Sequence, residues 1–192
     1  DTKSNEIESF DHKLCDMIIG VSNKPKDTQG LLKKLKENAL KSIEIVKDKV
    51  TNFSLYDEGN IRNISHLDYL EDYLKPYFKA AVGNYKITMD AKKEFSSSNL
   101  NINKISDLMN SHHNYLKKDL KITTSEIDKM IDISLENGAI GCKIVGSGGG
   151  GSIVSLSTNS NTSNKIVSKL KGIGVKDAFI ARKGSGPSIY YE

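Results

Sequence analysis

The stretch Gly138-Ala139-Ile140-Gly141-Cys142-Lys143-Ile144-Val145-Gly146-Ser147-Gly148-Gly149-Gly150-Gly151-Ser152-Ile153-Val154 decides how this chain is read. Two short β-type runs, Cys142 to Val145 and Ser152 to Leu156, flank a loop in which five of six positions are glycine. Such a loop is neither helix nor ordinary strand, because each glycine costs backbone entropy and offers no side chain to pack. Bare backbone there implies close approach: successive amides turned outward as a concave nest, facing an anion or a closely packed loop. The purely structural alternative is a flexible or bulged hairpin turn, but six residues exceed the usual two-residue connection. The segment formally satisfies G-x-G-x-x-G. That dinucleotide fingerprint needs a helix at the loop and an acidic residue about twenty positions on. A β-type run comes next instead, and the region near Lys171 is basic. A Walker A loop is excluded because no Gly-Lys-Ser/Thr is present after it.

Downstream of the loop come a Ser/Asn/Thr stretch, a helix through Ile166, Val167 and Leu170, and β-type runs at Val175 to Ala181 and Ser188 to Tyr191. Upstream, Thr123 and Glu126 have capping-box spacing for a helix through Ile127, Met130, Ile131 and Leu135, with Gly138 as its C′ stop. Ile102, Ile105, Leu108, Met109, His112 and Leu116 mark another helical stripe, preceded by a break at Ser96 to Asn99. Leu67, Leu70, Leu74, Phe78 and Ala81 predict a helix that continues through Met89, with Ser65 and Asp68 at capping positions and Pro76 kinking or dividing it. Leu32, Leu35, Ala39, Ile43, Val46 and Val50 lie on one face of a helix of about twenty residues. Ile7, Phe10, Leu14, Met17 and Ile18 predict a further helix within Asp1 to Gly20. A helix-rich first two thirds feeding a strand-strand-helix-strand end indicates an α+β fold.

Composition narrows the function classes. The 192 residues carry 28 Lys+Arg against 24 Asp+Glu, a net charge of +4. All but two of the cations are lysines scattered among acids, so no dense basic stripe points to nucleic acid. Hydrophobic residues at 37% and charged residues at 27% are those of a globular chain, and the apolar runs are far too short for a membrane span. Cys15 and Cys142 are far apart, without CxxC or Cys/His spacing, so neither a disulfide framework nor a zinc site is indicated. A reduced cytoplasmic setting is the expectation. The chain opens at Asp1 without an initiator Met, which predicts an N-terminus that was processed, trimmed or cut from something longer.

The span Gly138 to Val154 resembles the third, glycine-rich motif of the GHMP kinases, the family of galactokinases, homoserine kinases, mevalonate kinases and phosphomevalonate kinases. Leu108-Met109-Asn110-Ser111-His112, then Leu116, Asp119 and Leu120, then Thr124 to Asp128, resembles the helix-turn-helix that precedes this motif in galactokinases. The match covers Ile105 to Leu156. It implies that residues 1–192 form a GHMP kinase C-terminal domain, with a ferredoxin-like four-stranded antiparallel sheet and several helices. It also implies that the N-terminal domain, with the phosphate-wrapping segment and the catalytic Asp, lies outside this chain. In this family the C-terminal domain closes one side of a cleft, its glycine loop near the nucleotide phosphates.

The resemblance implies an ATP- and Mg²⁺-dependent kinase that phosphorylates a hydroxyl of a sugar, galactokinase-like, whose partner is its own N-terminal kinase domain. This chain alone is expected to be inactive and to bind neither ATP nor Mg²⁺. Gly146, Ser147, Gly148, Gly149, Gly150 and Gly151 are the candidate cleft residues; no catalytic and no metal residue is assigned. Phe10 and Lys143 are candidate substrate-side residues. Galactokinases carry a Tyr-Asn-x-Arg-Arg pattern whose tyrosine lies by the sugar, and its nearest counterpart, Phe10 to Leu14, has neither the hydroxyl nor the arginines. The consecutive glycines after Gly146-Ser147 resemble mevalonate kinase. The acceptor stays open between galactose, another sugar and mevalonate, and a free-standing ferredoxin-like module that binds a ligand or protein without chemistry is the reading from another class. His112 on its apolar stripe reads as a packed core-edge residue. Adjacent His112 and His113 point about 100° apart and do not form a metal pair.

Overall fold

A computed structural model describes residues 6–10, 12, 15–24, 29–56 and 64–181. Its elements are β1 (Asp16–Val21), α1 (Gln29–Lys49), a 3₁₀ turn (Ile64–Tyr69), α2 (Lys75–Phe95), α3 (Ile102–Asn114), a π turn (Tyr115–Asp119), α4 (Ser125–Glu136), β2 (Gly141–Val145), β3 (Ser152–Ser157), α5 (Ser160–Gly172) and β4 (Asp177–Ala181). The four strands form one sheet in the order β2-β3-β1-β4, and every neighbouring pair is antiparallel. Helices join β1 to β2 and β3 to β4, and the glycine loop joins β2 to β3. This is the ferredoxin-like arrangement expected from the sequence.

One face of the sheet makes the principal core. Ile144, Ile153, Gly20 and Ala178 lie in register across the four strands. Met130 of α4 and Leu170 of α5, both fully buried, cover that row. The fit is tight enough that a Cβ on Gly20 would sit 2.9 Å from Met130 Cε and 3.2 Å from Leu170 Cδ1. Gly20 is therefore the gap into which two helices are seated. A second cluster, Val46, Phe53, Leu70, Leu74 and Phe78, joins α1, the 3₁₀ turn and α2.

On the sheet's other side α3 packs against edge strand β2, where a Cβ on Gly141 would approach Ser106 Cα to 3.0 Å. Asn110 of α3 donates its amide to Ile140 O at 3.2 Å and accepts from Cys142 N at 2.9 Å. One side-chain amide thus pairs two backbone groups at the start of edge strand β2.

Two local expectations are corrected and an open one is decided. The helix expected within Asp1 to Gly20 is strand β1 over Asp16–Val21. Ile18 and Gly20 point into the core while Met17 and Ile19 are half-buried, and β1 lies between β3 and β4, so long-range pairing overrides a short stretch of helical spacing. The helix expected from Leu67 onward is divided, the alternative that Pro76 allows: α2 starts only at Lys75 with Pro76 in its first turn, where the missing N–H costs nothing, and the 3₁₀ turn stands apart before it. The cap of α4 is Thr124 rather than Thr123. Its hydroxyl accepts from Ile127 N at 3.3 Å, while Glu126 is engaged elsewhere. The strand expected at Ser188 to Tyr191 lies outside the described residues.

Candidate functional site

The glycine loop is held on both flanks. All five glycines, Gly146, Gly148, Gly149, Gly150 and Gly151, have φ between 73° and 135°. For any other L-residue the left-handed region costs about 1–2 kcal/mol. The composition of the loop is thus dictated by its path. On one flank Gly149 N donates to Ile122 O at 2.8 Å. A Cβ on Gly148 would lie 2.6 Å from that same carbonyl and 3.0 Å from Ile122 Cδ1. On the other flank Ser22 N donates to Gly151 O at 2.7 Å and Gly151 N to Lys24 O at 3.2 Å.

The segments that hold the loop are themselves fixed. Asn23 donates its backbone N–H and its side-chain amide to Glu126 Oε1 at 2.9 and 3.0 Å, and the same amide donates to Gly174 O at 2.7 Å. The turn after β1, the first turn of α4 and the turn before β4 are thereby tied together at the end of the sheet that carries the loop. Ile122 is anchored in the core with 5% of its surface exposed.

Of the two neighbours expected for the nest, an anion or a closely packed loop, the chain itself supplies the second for part of it. The amides of Gly149 and Gly151 are spent on packing. Gly148 N closes the turn over Gly146 and Ser147, while among the described residues the amides of Ser147 and Gly150 donate to no protein acceptor. Gly148 and Gly150 are buried, Ser147 is half-buried and Gly146 is exposed. Part of the loop is an anchor, and the remainder keeps donors of the kind an anion takes.

The two candidate substrate-side residues lie among other partners. Lys143 projects from β2 and donates its ammonium to Ile144 O at 2.9 Å. Burial lowers its pKa from the ordinary lysine range. His112 of α3 is pushed down to about 4, first by burial and then by the charge of Lys143. His113 is also lowered, chiefly by burial, with Asp128 opposing. Phe10 packs on Phe95 at the end of α2, ring centroids 5.7 Å apart. Phe95 and His112 in turn line an apolar groove of about 380 Å³ between α2 and α3. Among the described contacts neither Phe10 nor Lys143 touches the glycine loop. Sequence reading missed Ile122, Lys24 and the Asn23–Glu126 tie. The first two act through backbone carbonyls, which leave no side-chain signature. The described residues contain no group of three or more His, Cys, Asp or Glu that could hold a metal ion. No described helix is long and apolar enough to cross a membrane.

Residues 96–176 match the family model for the C terminal of GHMP kinases. A galactokinase of Lactococcus lactis subsp. lactis is 28% identical over 181 residues, a match covering 89% of this chain and 44% of that protein. The crystal structure of Lactococcus lactis galactokinase complexed with galactose superposes with a TM-score of 0.72 at 22% identity, covering 91% of this chain and 46% of that one. Mevalonate kinase of L. major, solved with R-mevalonate, gives 0.53 at 16% identity over 88% and 42%. The structural likenesses establish the fold, and the chain spans about 44% of the length of the first curated relative it matches. Residues 96–176 take in α3, α4, α5 and the glycine loop between β2 and β3, so the match to the C-terminal model of GHMP kinases falls on the part of the chain that holds the candidate site.

Proposed function

We propose that residues 1–192 form the C-terminal domain of an ATP-dependent, cytoplasmic GHMP kinase that phosphorylates a hydroxyl of a small sugar, its partner being an N-terminal kinase domain. The observation that carries this reading is the loop from Gly146 to Gly151. It is pinned at Ile122 and Lys24, yet keeps unspent amides at Ser147 and Gly150. Fixed N–H donors of this kind suit phosphate oxygens, because they are oriented before the anion arrives. In phosphoryl transfer most of the catalytic work is positioning and charge stabilisation.

The unspent loop amides and the Ser147 hydroxyl fit the phosphate end of a nucleotide. When bound, ATP supplies the phosphoryl group and Mg²⁺ neutralises charge on it. The described residues offer no ligand cluster for Mg²⁺, so no metal step is assigned to this chain. No residue here is given a catalytic role. The loop orients and excludes water, and the carboxylate that orients the acceptor belongs to the N-terminal domain. The isolated chain is accordingly inactive.

Gly149→Val in the full-length enzyme tests the reading. A Cβ in a left-handed position that also carries an anchoring bond should depress turnover severely, and wild-type kinetics would refute the role. A mevalonate-type acceptor is the second reading, favoured by Phe10, which sets a ring without a hydroxyl against Phe95. Phosphoryl transfer from ATP assayed with galactose and with mevalonate separates the two. A full-length protein that transfers phosphate to neither, nor to any small alcohol, would indicate a non-catalytic binding module.

A further inference from the structure

The route by which Ile122 is brought to the loop begins on α2. Gly83 lies in the middle of that helix, where glycine costs about 1 kcal/mol against alanine. Its neighbour is the ring of Tyr115. A Cβ on Gly83 would fall against Tyr115 Cζ and 2.6 Å from Tyr115 Oη. The ring therefore lies directly on the α2 backbone, in a seat that only glycine leaves open.

Tyr115 is also the first residue of the π turn that ends α3. There the hydrogen bond spans five residues, Leu120 N to Tyr115 O at 3.0 Å, instead of four. Such turns add a residue to a helical repeat and shift the chain beyond it. The next residue, Lys121, has φ 52°, a left-handed conformation uncommon outside glycine and asparagine. Ile122 N then bonds back to Leu116 O at 3.0 Å. The result is an Ile122 carbonyl aimed outward at Gly149 N while the Ile122 side chain stays in the core. Strain of this kind persists only where surrounding contacts over-determine it.

We infer that Tyr115 is a positioning residue for the glycine loop: seated on Gly83, it sets the π turn and the left-handed Lys121 that present the Ile122 carbonyl to Gly149. The loop's position is thereby tied to helix α2 across the body of the chain. The consequence for phosphate binding rests on the proposed kinase function; the consequence for loop order does not.

Amide hydrogen exchange and steady-state kinetics of the full-length protein test both parts, using Gly83→Ala, Tyr115→Leu and the double variant. Gly83→Ala displaces the ring and should speed exchange across Gly146 to Gly151 about tenfold, while Ser152–Ser157 and Ser125–Glu136 keep their protection. KM for ATP should rise about fivefold, with KM for the acceptor unchanged. The double variant should lose less than Gly83→Ala alone, because the alanine methyl fills space that the shortened side chain leaves. Unchanged loop exchange in both single variants would overturn the inference, as would exchange that rises equally in loop and core. If Gly83→Ala does not fold, Tyr115→Leu decides by the same outcomes. Faster loop exchange with an unaltered KM for ATP would support the positioning role and overturn the phosphate reading.

Discussion

Gly149 donates its amide to the carbonyl of Ile122 at 2.8 Å, and that single bond joins the loop between β2 and β3 to the turn before α4. The neighbouring Gly148 makes the contact possible, since any side chain there would meet the same carbonyl at 2.6 Å. The loop is thus built by exclusion of side chains on one flank and by backbone bonds to Ser22 and Lys24 on the other.

Gly148→Ala combines a left-handed residue with a clash against backbone, and should destabilise by about 2–4 kcal/mol. Denaturant unfolding should show a lowered midpoint with an unchanged slope. A stability within experimental error of wild type would mean the loop is free to move away from Ile122.

Asn110 gives a second test, directed at the edge of the sheet. Asn110→Leu strands Ile140 O and Cys142 N together and should cost about 2–3 kcal/mol. Asn110→Asp retains an acceptor for Cys142 N but loses the donor to Ile140 O, so its unfolding midpoint should fall between those of the leucine variant and wild type.

The sequence reading succeeded where local pattern and fold agree and failed where distant partners decide. The α1 helix, the end of α2 before Ser96 and the β2 and β3 runs stand as periodicity and turn residues predict them, although Leu32 of the α1 stripe is exposed and Leu31 packs in its place. Strand β1 was hidden because Met17 and Ile18 come after Ile7, Phe10 and Leu14 at helical spacing, and nothing local shows that β3 and β4 are waiting on either side. At the site, the need for glycine was legible and its cause was not. Ile122 and Lys24 contribute only carbonyls, and the π turn at Tyr115 reads in sequence as one more turn of an amphipathic helix.

Acid should loosen the α3 side of the sheet. His112, held at about 4, and His113, also lowered by burial, are neutral when folded, whereas an unfolded histidine takes up a proton near 6.5. Below that value the unfolded state binds more protons, so stability present above pH 6.5 is lost as pH falls towards 4 and changes no further from His112 beneath it. The expected loss is on the order of 2 kcal/mol. Thermal melts from pH 7 to 4 should show it, and His112→Gln should flatten the profile.

Cys142 offers a probe of the core that is independent of activity. Burial raises its thiol to about 11, and its Sγ lies 3.0 Å from Ser155 Oγ. Cys15 is only half-buried and its thiol is raised as well. An alkylating reagent at pH 8 should therefore modify Cys15 in the native protein and reach Cys142 only on unfolding. Equal rates at both cysteines would show that the sheet opens far more readily than its packing implies.

The most direct measurement is hydrogen exchange across Gly146 to Gly151 in the full-length protein, with and without a non-hydrolysable ATP analogue. Slower exchange at Ser147 and Gly150 on adding nucleotide, with the already bonded amides of Gly148, Gly149 and Gly151 little altered, is the predicted result. Nucleotide that binds and protects other segments while leaving all six loop residues unchanged would contradict it.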